Sequence, residues 1–187
     1  MFDRLIDGLD AVSRRLVWFG GALLILSAVV VTVDVFARKL FNISLAGADE
    51  LSGYAFGIAT MLALAHALIH KSNIRVDAFY HRFPTGVRAA ADLLGLILLV
   101  GFLGFVAYYG FNLLAESYAH SSRSITPLRT PLAVPQTLWC AGIAFCLFTG
   151  IVLLAAALGA LMRRDWQAVE RRIGVKTVDE QIEEETE

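Results

Sequence analysis

The residues in this 187-residue sequence that could do chemistry fall into three groups. The first is a set of charges, Asp34, Arg38, Asp49 and Glu50, around the segment that joins two long apolar runs. Asp34 and Arg38 are four apart, the order in which an acid and a base pair favourably on one helix face. Asp49 and Glu50 open the second run, where the positive end of a helix dipole favours anions. Such a set can cap and solvate helix ends, or it can form a charged rim that meets a partner. The second group is His66 and His70, one helical turn apart. A b-type haem in a bundle needs histidines on two helices at matching depth. His120 falls at the opposite end and His81 lies in a loop, so neither completes such a pair from a facing span. A metal would need a third ligand, which the spacing of the pair does not supply. The pair therefore reads as structural or interfacial, with no metal and no cofactor. The third group is Cys140 and Cys146, six apart on different faces and turns of one helix. They are too distant to bond to each other and read as small packing residues. With no glycine-rich phosphate loop, nucleophile elbow or zinc pattern, no residue is expected to be catalytic.

The elements that carry these groups are set by hydropathy. The hydrophobic class makes up 57% of the chain against 18% charged, with a mean hydropathy of +0.64. This disfavours a soluble enzyme, a nucleic-acid binder and a disordered chain. Four stretches are free of Asp, Glu, Lys and Arg for long enough to cross a bilayer: residues 16–33, 51–70, 93–115 and 130–162. The last is too long and opens with Pro131 and Pro135, and proline belongs in a first helical turn, so its helix is placed from about 135. The expected fold is an all-α integral membrane protein with spans over 16–36, 50–70, 92–116 and 135–162 within a membrane domain of residues 1–165. A basic-then-acidic tail follows over 166–187. The fifteen residues before the first span carry three Asp, and no small-x-small cleavage site follows a short apolar core, so that span reads as an uncleaved anchor.

Two connecting stretches read as short amphipathic interfacial helices. Phe2, Leu5, Ile6, Leu9 and Val12 recur at helical spacing over residues 2–14. Val76, Phe79, Tyr80 and Phe83 do the same over 75–83. Such helices lie in the headgroup layer of the lipid bilayer or pack on the bundle or a partner.

Orientation follows from the cations. The net charge of −1 hides a strong asymmetry, because six of the seventeen acids lie in the last nine residues. Twelve of the sixteen cations fall in the leader, the second loop and the C-terminal segment, which share one side of a four-span protein. Basic short loops stay cytoplasmic, so both termini are expected inside. Depth is equally informative. Asp34 lies about 27 Å along the helix from Leu16, at the outer edge. Nothing ionisable falls near the middle of any span, where Ser27, Thr60 and Thr149 are the nearest polar residues. A self-sufficient ion-coupled transporter usually keeps charged or unwound elements at mid-depth. Small residues, such as Gly53 and Gly57 in the second span and Gly142, Cys146 and Gly150 in the fourth, support close helix packing without saying which helices pair.

The run Asp34-Val35-Phe36-Ala37-Arg38-Lys39-Leu40-Phe41-Asn42, continuing through Asp49-Glu50 to Gly53-Tyr54, resembles a known family, as does Ala65-His66 through Ile74-Arg75-Val76-Asp77. Both are similar to the small membrane subunit of tripartite ATP-independent periplasmic (TRAP) transporters, and the proline-rich entry to the fourth span, from Thr126-Pro127 to Pro135-Gln136, fits as well. The resemblance covers roughly residues 15 to 165 and implies a non-catalytic subunit of the bacterial inner membrane. It implies a large membrane subunit, as a separate chain, that moves an organic-acid-type solute on a sodium gradient, and a periplasmic binding protein that delivers it. Asp34, Arg38, Asp49, Glu50, Arg75 and Asp77 are the residues it points to as a partner interface. The alternatives are a small b-type cytochrome using His66, His70 or His81, and a stand-alone exporter, which would need the mid-depth acid that the sequence lacks.

Overall fold

The computed structural model describes residues 2–72 and 84–163. These residues form four helices, α1 (Phe2–Phe41), α2 (Ala48–Ile69), α3 (Thr85–Ala119) and α4 (Ala133–Met162). All four are long and apolar enough to cross a membrane. They alternate in direction, so the bundle has two ends. The leader end holds the start of α1, the end of α2, the start of α3 and the end of α4. The loop end holds the short α1–α2 connection and the longer α3–α4 connection.

The leader differs from the expected separate surface helix over 2–14. It is helical, but it is continuous with the first span in one 40-residue helix. The reason is local: no proline or glycine stands between Ala11 and Trp18, so nothing stops elongation once the helix is nucleated. At 1.5 Å per residue α1 is about 60 Å long, about twice the hydrocarbon thickness. The leader stripe is used to pack inward: Leu9 and Ser13 are buried and Ile6 contacts the main core. The stripe expected over 75–83 lies outside the described residues, as does the tail over 166–187.

Helix ends follow backbone chemistry. Asn42, Lys71 and Ser121 take left-handed φ values of 54°, 56° and 48° just after α1, α2 and α3. After α2 the Lys71 amide donates to the Leu68 carbonyl and the Ser72 amide to the Ala67 carbonyl, closing the helix on its own last carbonyls. The end of α3 repeats this with Ser121 to Tyr118 and Ser122 to Ser117. Helix α4 begins at Ala133, which places the buried Pro135 in the first turn. Helix α3 begins seven residues before the expected span, and Asp92, which bounded that span in the sequence, is buried inside it.

Helix α4 is central. It packs on both α2 and α3, while α2 also packs on α1 and α1 touches α4 only lightly. The spatial order is therefore α1–α2–α4–α3. Half of the apolar stretch of α4 is buried, against 6% of that of α1. Ile143, Cys146 and Ala157 of α4 are fully buried and anchor a core with Ala65, Leu68, Leu96 and Leu103. The α2–α4 approach depends on Gly142: a Cβ there would lie 2.9 Å from Met61 Cβ and 3.0 Å from its carbonyl carbon. Gly53 and Gly57, in contrast, line an apolar groove of about 500 Å³ between α2 and α3, floored by Trp139 and Cys140.

Candidate functional site

Polar side chains gather at the two ends of the α1–α2 seam. At the loop end, Asp34 sits on the last turns of α1 and is 1% exposed. Its Oδ2 accepts from Arg38 of the same face, as the spacing predicts. Its Oδ1 accepts from the Leu45 backbone amide at 2.6 Å, with Ser44 Oγ at 3.4 Å. Asp34 thus folds the α1–α2 connection back over the end of α1 and satisfies an amide that would otherwise be an orphan. Arg38 is half exposed and also stands 3.7 Å from Asp49, itself largely exposed. Asp34, Arg38 and Asp49 therefore form one chain of charge that runs from the interior to the surface.

Glu50 belongs to a second network. Its Oε1 accepts from Tyr54 at 2.7 Å, one turn along α2, and its Oε2 accepts from Thr126 in the α3–α4 connection. Thr126 Oγ1 also lies 2.8 Å from Ser124 Oγ. That connection is itself ordered by backbone bonds, Ser124 to Thr130 and Leu132 to Ser122, around an antiparallel bridge of Arg123 with Pro131. Gly47 locks the two connections together: its φ of +125° is open to glycine, and a Cβ there would lie 2.1 Å from Leu128 Cδ1. Of the six residues singled out in the sequence, four are placed at this end, three in one network and Glu50 in the other. Arg75 and Asp77 lie outside the described residues.

At the leader end the structure assembles a group that sequence spacing did not. Asp10 of α1 stands against His66 and His70 of α2. Asp10 Oδ1 is 2.8 Å from His70 Nε2 and 3.5 Å from His66 Nδ1, and Arg14 donates to Asp10 Oδ2 at 2.9 Å. Ser13 Oγ lies 3.0 Å from His66 Nδ1 and also bonds the Asp10 carbonyl at 2.8 Å. The third group that the sequence reading found lacking beside the histidine pair is thus supplied by Asp10, 60 positions before His70. Asp10 lies off the apolar stripe of the leader, a position that becomes informative once the leader is known to continue α1. The two imidazoles lie side by side, with ring centroids 4.1 Å apart. Two ligands of one haem iron would instead face each other across the porphyrin.

Between the two ends, Thr60 and Thr149 bond the carbonyls of Phe56 and Phe145 one turn back, within their own helices. Cys140 and Cys146 are both free thiols and buried.

Against known families, residues 27–162 match the one described as "Tripartite ATP-independent periplasmic transporters, DctQ component". No curated protein matches the chain. The match begins within α1 and runs to the last residue of α4, so it takes in the loop end and both histidines but not Asp10.

Proposed function

We propose a role for this chain from one premise: it belongs to the DctQ component family of the tripartite ATP-independent periplasmic transporters, as their small membrane subunit. It is a multi-pass protein whose task is to brace the large membrane subunit of a sodium-coupled transporter for an organic-acid-type solute. The loop end, with Asp34, Arg38, Asp49 and Glu50, helps receive the periplasmic binding protein, and Arg75 and Asp77, which lie outside the described residues, belong to the set proposed to meet a partner. The chain sits in the bacterial inner membrane with both termini cytoplasmic, the orientation that places twelve of its sixteen cations inside.

The observation that carries this reading is the middle of the bundle. Helices α1 to α4 cross it unbroken, no acidic or basic side chain of the described residues lies there, and Thr60 and Thr149 bond the backbone of their own helices. Translocation paths in secondary transporters are built from interrupted helices and mid-depth charges. A chain without them supports a partner that has them. The loop end supports the docking role because Arg38 is held from beneath by the buried Asp34 and itself stands 3.7 Å from the exposed Asp49. Purification in mild detergent from cells expressing the neighbouring transport genes tests this directly. A much larger membrane protein should co-purify in a fixed ratio, and recovery of this chain alone would contradict the proposal.

A further inference from the structure

We propose that Asp10, His66 and His70 form a binding site for a divalent transition-metal ion of the zinc type, bridging α1 and α2 at the leader end. The inference is independent of the transport role. It starts from the shape of the donor set. Asp10 Oδ1 lies 2.8 Å from His70 Nε2 and 3.5 Å from His66 Nδ1, and the three donor atoms all lie within 4.8 Å of one another. In a tetrahedral zinc site with bonds of about 2.0–2.1 Å the donors stand roughly 3.3 Å apart. The two distances to Asp10 Oδ1 bracket that spacing, and rotations of the imidazoles bring the third side within reach of it.

Orientation agrees with distance. His66 and His70 are one turn apart on α2, their rings tilted side by side and both turned toward the same carboxylate oxygen. The other oxygen of Asp10 is held by Arg14, which fixes the carboxylate and leaves Oδ1 to the histidines. Outer hydrogen bonds of this kind orient metal ligands. Arg14 is 65% exposed, so its charge is screened by water. Ser13 would give up His66 Nδ1 to the ion and keep its bond to the Asp10 carbonyl. Two imidazoles and one carboxylate suit zinc, nickel or copper ions over calcium or magnesium, which prefer all-oxygen shells. The histidines are 30% and 40% exposed, so the ion has a route in from water, and a water molecule can complete the shell.

The test uses the full chain without an affinity tag, in detergent and stripped with a chelator, and titrates it with Zn²⁺ alone and Co²⁺ alone. One equivalent of Zn²⁺ should bind, and Co²⁺ should give the intense visible absorption of a tetrahedral ion. His70→Gln and Asp10→Asn should each weaken binding by more than about a hundredfold, beyond the range seen for outer-shell changes. His120→Ala, at the other end of the bundle, should leave it unchanged. In the unaltered chain Zn²⁺ should protect His66 and His70, but not His120, from diethyl pyrocarbonate, which locates the site without any substitution. Absence of stoichiometric binding, a pale octahedral cobalt spectrum, equal affinity in His70→Gln, or equal labelling with and without Zn²⁺ would each overturn the proposal.

Discussion

The two ends of the α1–α2 seam are built on the same local device and put to different uses. Each has an acid on α1 with an arginine one turn later, Asp10 with Arg14 and Asp34 with Arg38. The acids are 24 residues apart, about 36 Å along the helix, so they bracket a hydrocarbon slab of about 30 Å. Beyond that the ends diverge. Asp34 is buried and spends its free oxygen on a backbone amide, so it shapes a connection. Asp10 is partly exposed and spends its free oxygen on side chains of the neighbouring helix, so it joins two helices through groups that can exchange partners. An identical pair thus becomes a loop clasp at one end and a ligand set at the other, according to what its second oxygen meets.

Substitutions should separate the two ends, beginning at the loop end. Gly47→Ala should have the largest effect. It adds about 1–2 kcal/mol of left-handed strain and drives a Cβ into Leu128, so the thermal unfolding midpoint in detergent should fall clearly. Asp34→Leu comes next, because it orphans the Leu45 amide and releases Arg38. Amide exchange at Leu45 should quicken in this variant, whereas Asp34→Asn, which keeps an acceptor, should retain most of the protection. At the leader end Ser13→Ala removes a buried hydroxyl together with its bond to His66, and should cost about 1 kcal/mol without altering loop-end exchange. Arg14→Ala should be the mildest, within about 0.5 kcal/mol, since the pair it breaks is exposed. If Arg14→Ala proved as damaging as Asp34→Leu, the two ends would not differ in the way described.

What was legible in the sequence follows from the range of the interactions. The four spans were plain because they depend on runs of apolar residues, and the Asp34–Arg38 pair because it lies within one turn. The continuity of α1 was missed because an amphipathic leader and a span differ in composition while sharing one backbone. Nothing local in the sequence therefore relates Asp10 to residues 56 and 60 positions away. The early start of α3 was hidden by Asp92, because a rule that cuts spans at charges has no means to see a buried one. Gly53 and Gly57 showed small-residue spacing, yet they border a groove, while Gly142 makes the close contact. Spacing records which residues share a face but not what that face meets.

In the role proposed above, this chain supports transport and moves no solute itself. Solute uptake into proteoliposomes, under a sodium gradient and with the binding protein present, tests it most directly. Vesicles holding this chain alone should show no uptake, and vesicles holding it with the large subunit should accumulate solute. Uptake by the chain alone would contradict the account.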